Sequence, residues 1–232
     1  MLLRSVTKHL KDQNWFAVAL DFFIVVIGVF IGMQVANWNG AQADRRLGQD
    51  YAVRLIVDLE GDLQSQRSVM AYYSQVLASI ETADQLLASG TPDPKALVAA
   101  AYRGSGFSSD PIGEATWEQV VSSGHLGLLP GEDITSGLSN YYKYQDANNE
   151  TISLLQGSPY RLAVRSLIPL PVQLAIREGC SDETNDANVV LGFVAECRMD
   201  VEDALLDETA QALMSSSLIR ESLWHKYSMV AT

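Results

Sequence analysis

The sequence predicts an all-α protein: one N-terminal transmembrane helix, then a long helix, then a helical-bundle domain. Three features predict this fold. An apolar run of 22 residues lies near the N-terminus, a long helical periodicity follows it, and no strand-like alternation competes elsewhere. We divide the chain into a cytoplasmic segment (1–14), a transmembrane helix (15–37), a polar joint (38–43) and a periplasmic α-helical domain (44–232).

The apolar run covers residues 15–36 and contains only two polar side chains, Asp21 and Gln34. As a helix it is about 33 Å long, which is enough to cross the hydrocarbon core of a bilayer. Trp15 and Trp38 bracket the run, as expected of an aromatic belt at the two membrane interfaces. We therefore expect this helix to span a membrane.

A cleaved signal peptide is the alternative interpretation of the same segment. Ala41-Gln42-Ala43 has the small-x-small form of a cleavage site, and residues 22–33 have the character of a signal-peptide apolar core. The long leader and the bulky Trp38 close to that site favour a retained anchor.

Charge is distributed unevenly along the chain. Arg4, Lys8 and Lys11 precede the span, and this slight basic excess favours a cytoplasmic N-terminus. Residues 44–232 carry 13 basic and 26 acidic side chains. So acidic a domain repels nucleic acid and anionic lipid headgroups, and we expect neither as its partner.

One face of the predicted span combines small residues with an ionisable one. Its members follow at steps of four and three: Asp21, Val25, Gly28, Gly32 and Val35. Two glycines four residues apart let another helix approach closely, and a carboxyl group in a membrane usually faces protein. We predict a helix–helix interface here, with a second copy of the chain or another inner-membrane protein. The alternative is that Asp21 lies near the headgroups and the glycines are incidental.

A heptad-like seam follows the joint. Residues 56–87 place apolar side chains at alternating steps of three and four, which predicts a helix over about 44–88. Such a seam suits an intermolecular coiled coil or, with better support from later segments, the longest helix of an intramolecular bundle. By phase, Gln66 meets Gln145 and Asn148 in a buried polar layer; the alternative is that this part of the stripe faces solvent.

Turn residues divide the rest of the chain into shorter predicted helices. The first covers 94–103. The second starts at the Asp110-Pro111 cap and closes at Ser123-Gly124, and the third lies between Pro130-Gly131 and Gly157-Ser158. A continuation covers 160–167, and a last helix covers 200–227. Trp117, Val120 and Val121 are expected on the inner face of the second of these.

Both cysteines, Cys180 and Cys197, belong to the domain after the membrane. A disulfide between them closes a modest loop and stabilises the fold by ~3 kcal/mol on the chain-entropy estimate. Disulfides persist in oxidising compartments, so the pairing agrees with a periplasmic domain. Two buried free thiols in a reducing cytosol are the alternative.

No sequence motif indicates a catalytic, cofactor or metal site. The three histidines fit neither HExxH nor a zinc spacing, and the GxSxG, Walker and GxGxxG patterns are missing. His125 with Glu118 has the composition of an acid–base pair, although surface or capping roles are commoner. Four alternating residues suggest a calcium loop but lack its glycine and its terminal glutamate; they are Asp182, Thr184, Asp186 and Asn188.

Short motifs cluster in the first forty residues. They are Gln13-Asn14-Trp15, Asp21-Phe22, Gly28-Val29-Phe30-Ile31-Gly32, Gln34-Val35 and Asn37-Trp38-Asn39, with a weaker match in Thr116-Trp117-Glu118 and Ser122-Ser123-Gly124-His125-Leu126. Together they resemble a family of uncharacterised single-pass inner-membrane proteins of Gram-negative bacteria. The resemblance implies a retained N-terminal anchor and a helical domain, and it brings no known reaction, cofactor or active site.

These features predict a non-enzymatic accessory or scaffolding protein of the bacterial inner membrane, whose anchor engages a membrane partner and whose periplasmic domain binds protein. The alternative is a ligand-sensing module in which binding between helices shifts the long helix. Only about fourteen residues precede the span, so a sensor's output must pass through a partner. A membrane-tethered hydrolase, the third class, requires a site built from scattered carboxylates and His125.

Overall fold

A computed structural model of the chain describes residues 15–109, 112–186 and 189–231. The fold is all-α apart from one short hairpin. Helix α1 runs without interruption over Trp15–Ser89, so the apolar run and the first helix of the domain form one rod. Its length is about 110 Å. The expected joint at 38–43 is not a break, because these residues contain no proline and one glycine costs only about 1 kcal/mol in a helix.

Helix α1 ends at the turn residues that the sequence indicated. Gly90 adopts a φ of 76°, a left-handed conformation that glycine tolerates without strain. Helix α2 (Pro94–Gly104) then starts behind Asp93, whose carboxylate accepts a hydrogen bond from the Ala96 backbone N–H.

Helix α3 (Ala115–Ser122), a 3-10 helix (His125–Leu128) and helix α4 (Glu132–Gln156) pack along the part of α1 nearer the candidate span. The predicted Asp110-Pro111 cap lies outside the described residues. Gly124 ends α3 with a φ of 72°, as predicted. Val120 is fully buried, but Val121 is 45% exposed; the prediction for Val121 was wrong, because it lies about 100° around this short helix from Val120.

Helices α5 (Pro159–Leu167) and α6 (Leu170–Gly179) come next, and helices α7 (Asp203–Ser215) and α8 (Ser217–Val230) end the described fold. The single helix predicted over 200–227 is therefore two helices. Ser216 breaks it with an extended backbone, at the centre of three consecutive serines. Serine side chains hydrogen-bond nearby backbone groups and weaken the competing helix.

Between α6 and α7 lies an antiparallel hairpin of strands β1 (Asp182–Thr184) and β2 (Val190–Phe193). The sequence indicated no strand, and that expectation was wrong, because strands of three and four residues are too short to show an alternating pattern. The Cys180–Cys197 disulfide closes the base of the hairpin, with an S–S distance of 2.01 Å. The predicted pairing is confirmed.

Two hydrophobic clusters lie against opposite ends of the soluble part of α1. The larger cluster joins the far end of α1 to α2, α5, α6, α7 and α8. The smaller joins Tyr51 and Leu55 to Val120 and Leu129. The predicted seam is thus only partly buried. Ile80 and Leu87 belong to the large cluster, as an intramolecular bundle requires, whereas several seam members nearer the apolar run are exposed. These exposed members are Ile56, Leu63 and Met70.

Candidate functional site

A cleft of about 610 Å³ lies between α1, α2, α5, α6 and the hairpin. Four arginines line it: Arg103 comes from α2, Arg161 and Arg165 from α5, and Arg177 from α6. Asp182 of β1 is the one carboxylate among the described lining residues. Four of the 13 basic residues that follow the apolar run therefore gather in one cleft of an acidic domain.

Hydrogen bonds fix three of these guanidinium groups. Arg103 Nη2 donates to the Val194 carbonyl at 2.8 Å, and Arg161 Nη1 and Arg165 Nε donate to the carbonyl and the hydroxyl of Ser105, each at 2.9 Å. Ser105 is itself fully buried. Within the described part of the chain, none of the three pairs with a carboxylate within 4.0 Å. The positive charges are held in place but not neutralised.

Aromatic rings support the flat faces of the same three groups. The distances from guanidinium carbon to ring centre are 5.1 Å for Arg103 over Phe193, 4.8 Å for Arg161 over Phe107 and 3.3 Å for Arg165 over Tyr102. Stacking of this kind orients the guanidinium plane and leaves its N–H edges available. The fork of donors on each edge matches a carboxylate or phosphate.

The local sequence explains how these groups converge. Arg161 and Arg165 are four residues apart, so they lie on the same face of α5. Gly106 follows α2 where a Cβ would collide with the hydroxyl of Tyr72. Glycine at this position lets the chain pass close to Tyr72 of α1, which lines the cleft.

The cleft is electropositive and partly shielded from water. Burial lowers the pKa of Arg165, and the charge of Arg161 lowers it further. Burial also raises the pKa of Asp182, against the opposing effect of the arginines, of which Arg165 is the strongest. Because water screens charge weakly in such a site, an anion held here interacts strongly with the arginines.

Comparisons of this chain with protein-family models, curated proteins and solved structures gave no match. Function is therefore argued from the site itself. Among the described residues, no group of three histidine, cysteine or acidic side chains is arranged to hold a metal ion.

The residues predicted for a membrane interface lie on α1 and are all exposed: Asp21, Val25, Gly28, Gly32 and Val35. Trp15 and Trp38, at the two ends of the apolar run, are also exposed. This N-terminal part of α1 is long and apolar enough to cross a membrane.

The predicted polar residues of the soluble part have other neighbours. Gln145 is buried, but Gln66 and Asn148 are half-buried, and no hydrogen bond in the described structure joins Gln66 to either. Beside Gln145, buried Asp62 accepts a hydrogen bond from Tyr141 at 2.9 Å. Burial, followed by this bond to Asp62, raises the pKa of Tyr141 to about 12.

His125, the residue on which a hydrolase would depend, contacts Tyr51, which is about 30 Å along α1 from the cleft residue Tyr72. Its Nδ1 is 3.0 Å from the hydroxyl of Tyr51 on α1. The contact links the 3-10 helix to α1, which is a structural role.

Sequence reasoning did not find the cleft, because its arginines are spread over residues 103–177 and come together only in the fold. The one local signal was the spacing of Arg161 and Arg165. The net charge of the domain pointed away from anions, but an average over 189 residues does not describe the field inside a single cleft.

Proposed function

We propose that this protein is a membrane-anchored, non-enzymatic ligand-sensing module of the bacterial inner membrane, and that its cleft binds a small anion. The observation that carries the proposal is the set of guanidinium groups of Arg103, Arg161 and Arg165, which are oriented by hydrogen bonds and rings but neutralised by no described ion pair. Holding several unpaired positive charges close together lowers the stability of the fold, and a bound anion offsets that cost.

The position of the cleft supports a sensing role. Tyr72 belongs to the same unbroken helix as the candidate span. The hairpin also reaches α1, since the Phe193 N–H donates to the Gln75 side chain at 2.8 Å. A ligand therefore contacts α1 directly and through the hairpin, about 54 Å along the helix from residue 36.

The proposed topology has a cytoplasmic N-terminus and a periplasmic domain. Arg4, Lys8 and Lys11 before the apolar run support this orientation. The Cys180–Cys197 disulfide supports it independently, because the periplasm is oxidising.

The sensing proposal is tested by hydrogen–deuterium exchange of the full-length protein in lipid nanodiscs, with sulfate or malate replacing chloride at constant ionic strength. We expect slower exchange at residues 68–76 of α1 in the wild type and no change in Arg165→Gln. Arg67→Gln is the matched control, because Arg67 is an exposed arginine of α1 outside the cleft. If neither anion alters exchange in the wild type, the proposal is wrong.

An accessory role is the second candidate, and a separate surface favours it. Part of α1 bears large apolar side chains that are between 51% and 71% exposed: Val53, Ile56, Val57, Leu63 and Met70. Most of them lie across the helix from the buried Tyr51 and Leu55. A partner protein that covers this strip would also give a sensor its output.

The accessory role predicts that a partner is retained through the strip. Affinity purification in mild detergent, followed by protein identification, is compared for the wild type and for Ile56→Glu/Leu63→Glu. Leu154→Glu/Leu218→Glu is the matched control, because both leucines are more than half exposed and lie outside the strip. A protein that co-purifies with the wild type and the control but not with the double variant supports this role, and equal recovery from all three contradicts it.

A further inference from the structure

We propose that the cleft binds an oxyanion with two negative charges beside a hydroxyl or ammonium group. This inference rests on the proposed anion-binding function and narrows its ligand class. A phosphate monoester and a pair of carboxylates both provide the two charges. The chemistry recognised is the same in each case: a compact dianion with an adjacent hydrogen-bond donor.

The need for two charges follows from the balance within the cleft. Four arginines face one carboxylate, so the described lining carries an excess of three positive charges. Arg161 also lies near Lys226, whose ammonium group is buried and has no hydrogen-bond partner in the described structure. A single negative charge leaves most of this repulsion in place, whereas a dianion neutralises far more of it.

Free donors in the cleft are arranged for oxygen atoms. Arg103 Nε is buried and unpaired within the described structure, while Nη2 of the same side chain is already committed to Val194. Arg161 and Arg165 each commit one nitrogen to Ser105 and retain others. Carboxylate and phosphate oxygens are the acceptors that suit such paired donors.

Asp182 supplies the second element of recognition. It faces Phe193 across the hairpin, and the Phe193 ring lies under Arg103, so the carboxylate belongs to the same wall of the cleft. An ionised carboxylate accepts hydrogen bonds and repels other anions. A ligand made only of anionic oxygens is therefore penalised, whereas one with a neighbouring hydroxyl or ammonium donates to Asp182.

Size and position exclude larger sources of the same chemistry. A cleft of about 610 Å³ accommodates a small molecule. Lipid headgroups lie at the membrane surface, and Tyr72 is roughly 50 Å along α1 from the end of the apolar run. The ligand is therefore a free solute.

The test is calorimetric titration of the full-length protein in nanodiscs with five defined solutes. Malate carries two carboxylates and a hydroxyl, and aspartate carries two carboxylates and an ammonium group. Succinate lacks the donor, lactate lacks the second carboxylate, and glycerol 3-phosphate replaces both carboxylates by one phosphate. We expect malate, aspartate or glycerol 3-phosphate to bind at least about tenfold more tightly than succinate and lactate. Whichever class binds most tightly identifies carboxylate or phosphate as the source of the charge.

Variants test the requirement for negative charge and the requirement for a neighbouring donor separately. Arg161→Gln and Arg177→Gln should each weaken binding of the best solute about tenfold or more, and Arg67→Gln should leave it unchanged. Arg177 is exposed at the edge of the cleft, so its replacement does not threaten folding. Asp182→Ala, which removes the acceptor, should abolish the preference for malate over succinate.

Failure of the proposed ligand class can be distinguished from failure of anion binding itself. Equal binding of lactate and malate, or a malate preference that survives in Asp182→Ala, overturns the ligand class and leaves anion binding intact. If no solute binds, anion binding falls as well.

Discussion

At the scale of single residues, Lys226 is a charged side chain whose burial the described structure does not compensate. It is fully buried in α8, and its Nζ has no hydrogen-bond partner in the described structure. Burial, and secondarily the charge of Arg161, lowers its pKa to about 8. In the unfolded chain its pKa returns to about 10.4.

Replacing this lysine should therefore stabilise the protein. Between about pH 8 and pH 10.4 the unfolded chain binds more protons at Lys226 than the folded one, so this group makes stability rise with pH. Lys226→Met removes that dependence and should raise the free energy of unfolding at pH 7 by ~2 kcal/mol, with a smaller gain at pH 10. Urea unfolding of both proteins at the two pH values measures the difference. An equal gain at both values contradicts the assignment.

Gly48, in contrast to Lys226, is a residue that the packing requires. It is buried in α1, and a Cβ there would collide with the backbone carbonyl of Leu128 in the 3-10 helix. Backbone cannot move aside as a side chain can, so Gly48→Ala should lower the free energy of unfolding by about 1–3 kcal/mol.

Gly61 is the matched control for Gly48, because it lies in the same helix and a Cβ there meets nothing within 4 Å. Gly61→Ala should raise stability by up to about 1 kcal/mol through helix propensity alone. Thermal unfolding compares the two variants. Stabilisation by both substitutions would show that the 3-10 helix does not pack tightly on α1.

At the scale of elements, the hairpin depends on its covalent closure. Strands of three and four residues form too few hydrogen bonds to be stable alone. The disulfide joins residues 17 positions apart, and removing it should cost ~3 kcal/mol. Because Asp182 and Phe193 are hairpin residues, Cys180→Ala/Cys197→Ala should also weaken anion binding. Melting curves with and without reductant test this: reductant should lower the melting temperature of the wild type only, and a wild type insensitive to reductant contradicts it.

The sequence predicted helix boundaries that have a local cause, and it did not predict features that depend on tertiary contacts. Glycine needs no tertiary contact to end a helix, so Gly90 and Gly124 marked their boundaries correctly. The hairpin is held by a distant disulfide and by contact with α1, and short strands leave no periodic signal. The cleft was hidden for the same reason, because three helices must pack before their arginines meet.

At the scale of the whole molecule, one helix connects every feature with a proposed role. α1 contains the apolar run, carries the exposed apolar strip and forms one wall of the cleft. Because the helix has no break at 38–43, we propose that a displacement at the cleft is carried along α1 toward the apolar run. A single membrane helix can pass on a signal only by moving relative to another protein. Signalling by this route therefore requires a partner helix.

The glycine face of α1 is where that partner should bind. Gly28→Leu and Gly32→Leu should each reduce the mass of the complex extracted in mild detergent, because a leucine side chain prevents the close approach that two glycines permit. Gly40→Leu is the control: a Cβ at any of the three positions meets nothing within 4 Å of its own chain, so all three variants leave the fold of one protomer undisturbed and differ only in their position along α1. Native mass spectrometry measures the complexes and identifies the lost component as a second copy or another protein. Loss of the complex in Gly40→Leu, or its survival in both Gly28→Leu and Gly32→Leu, would remove the glycine face as the site of association.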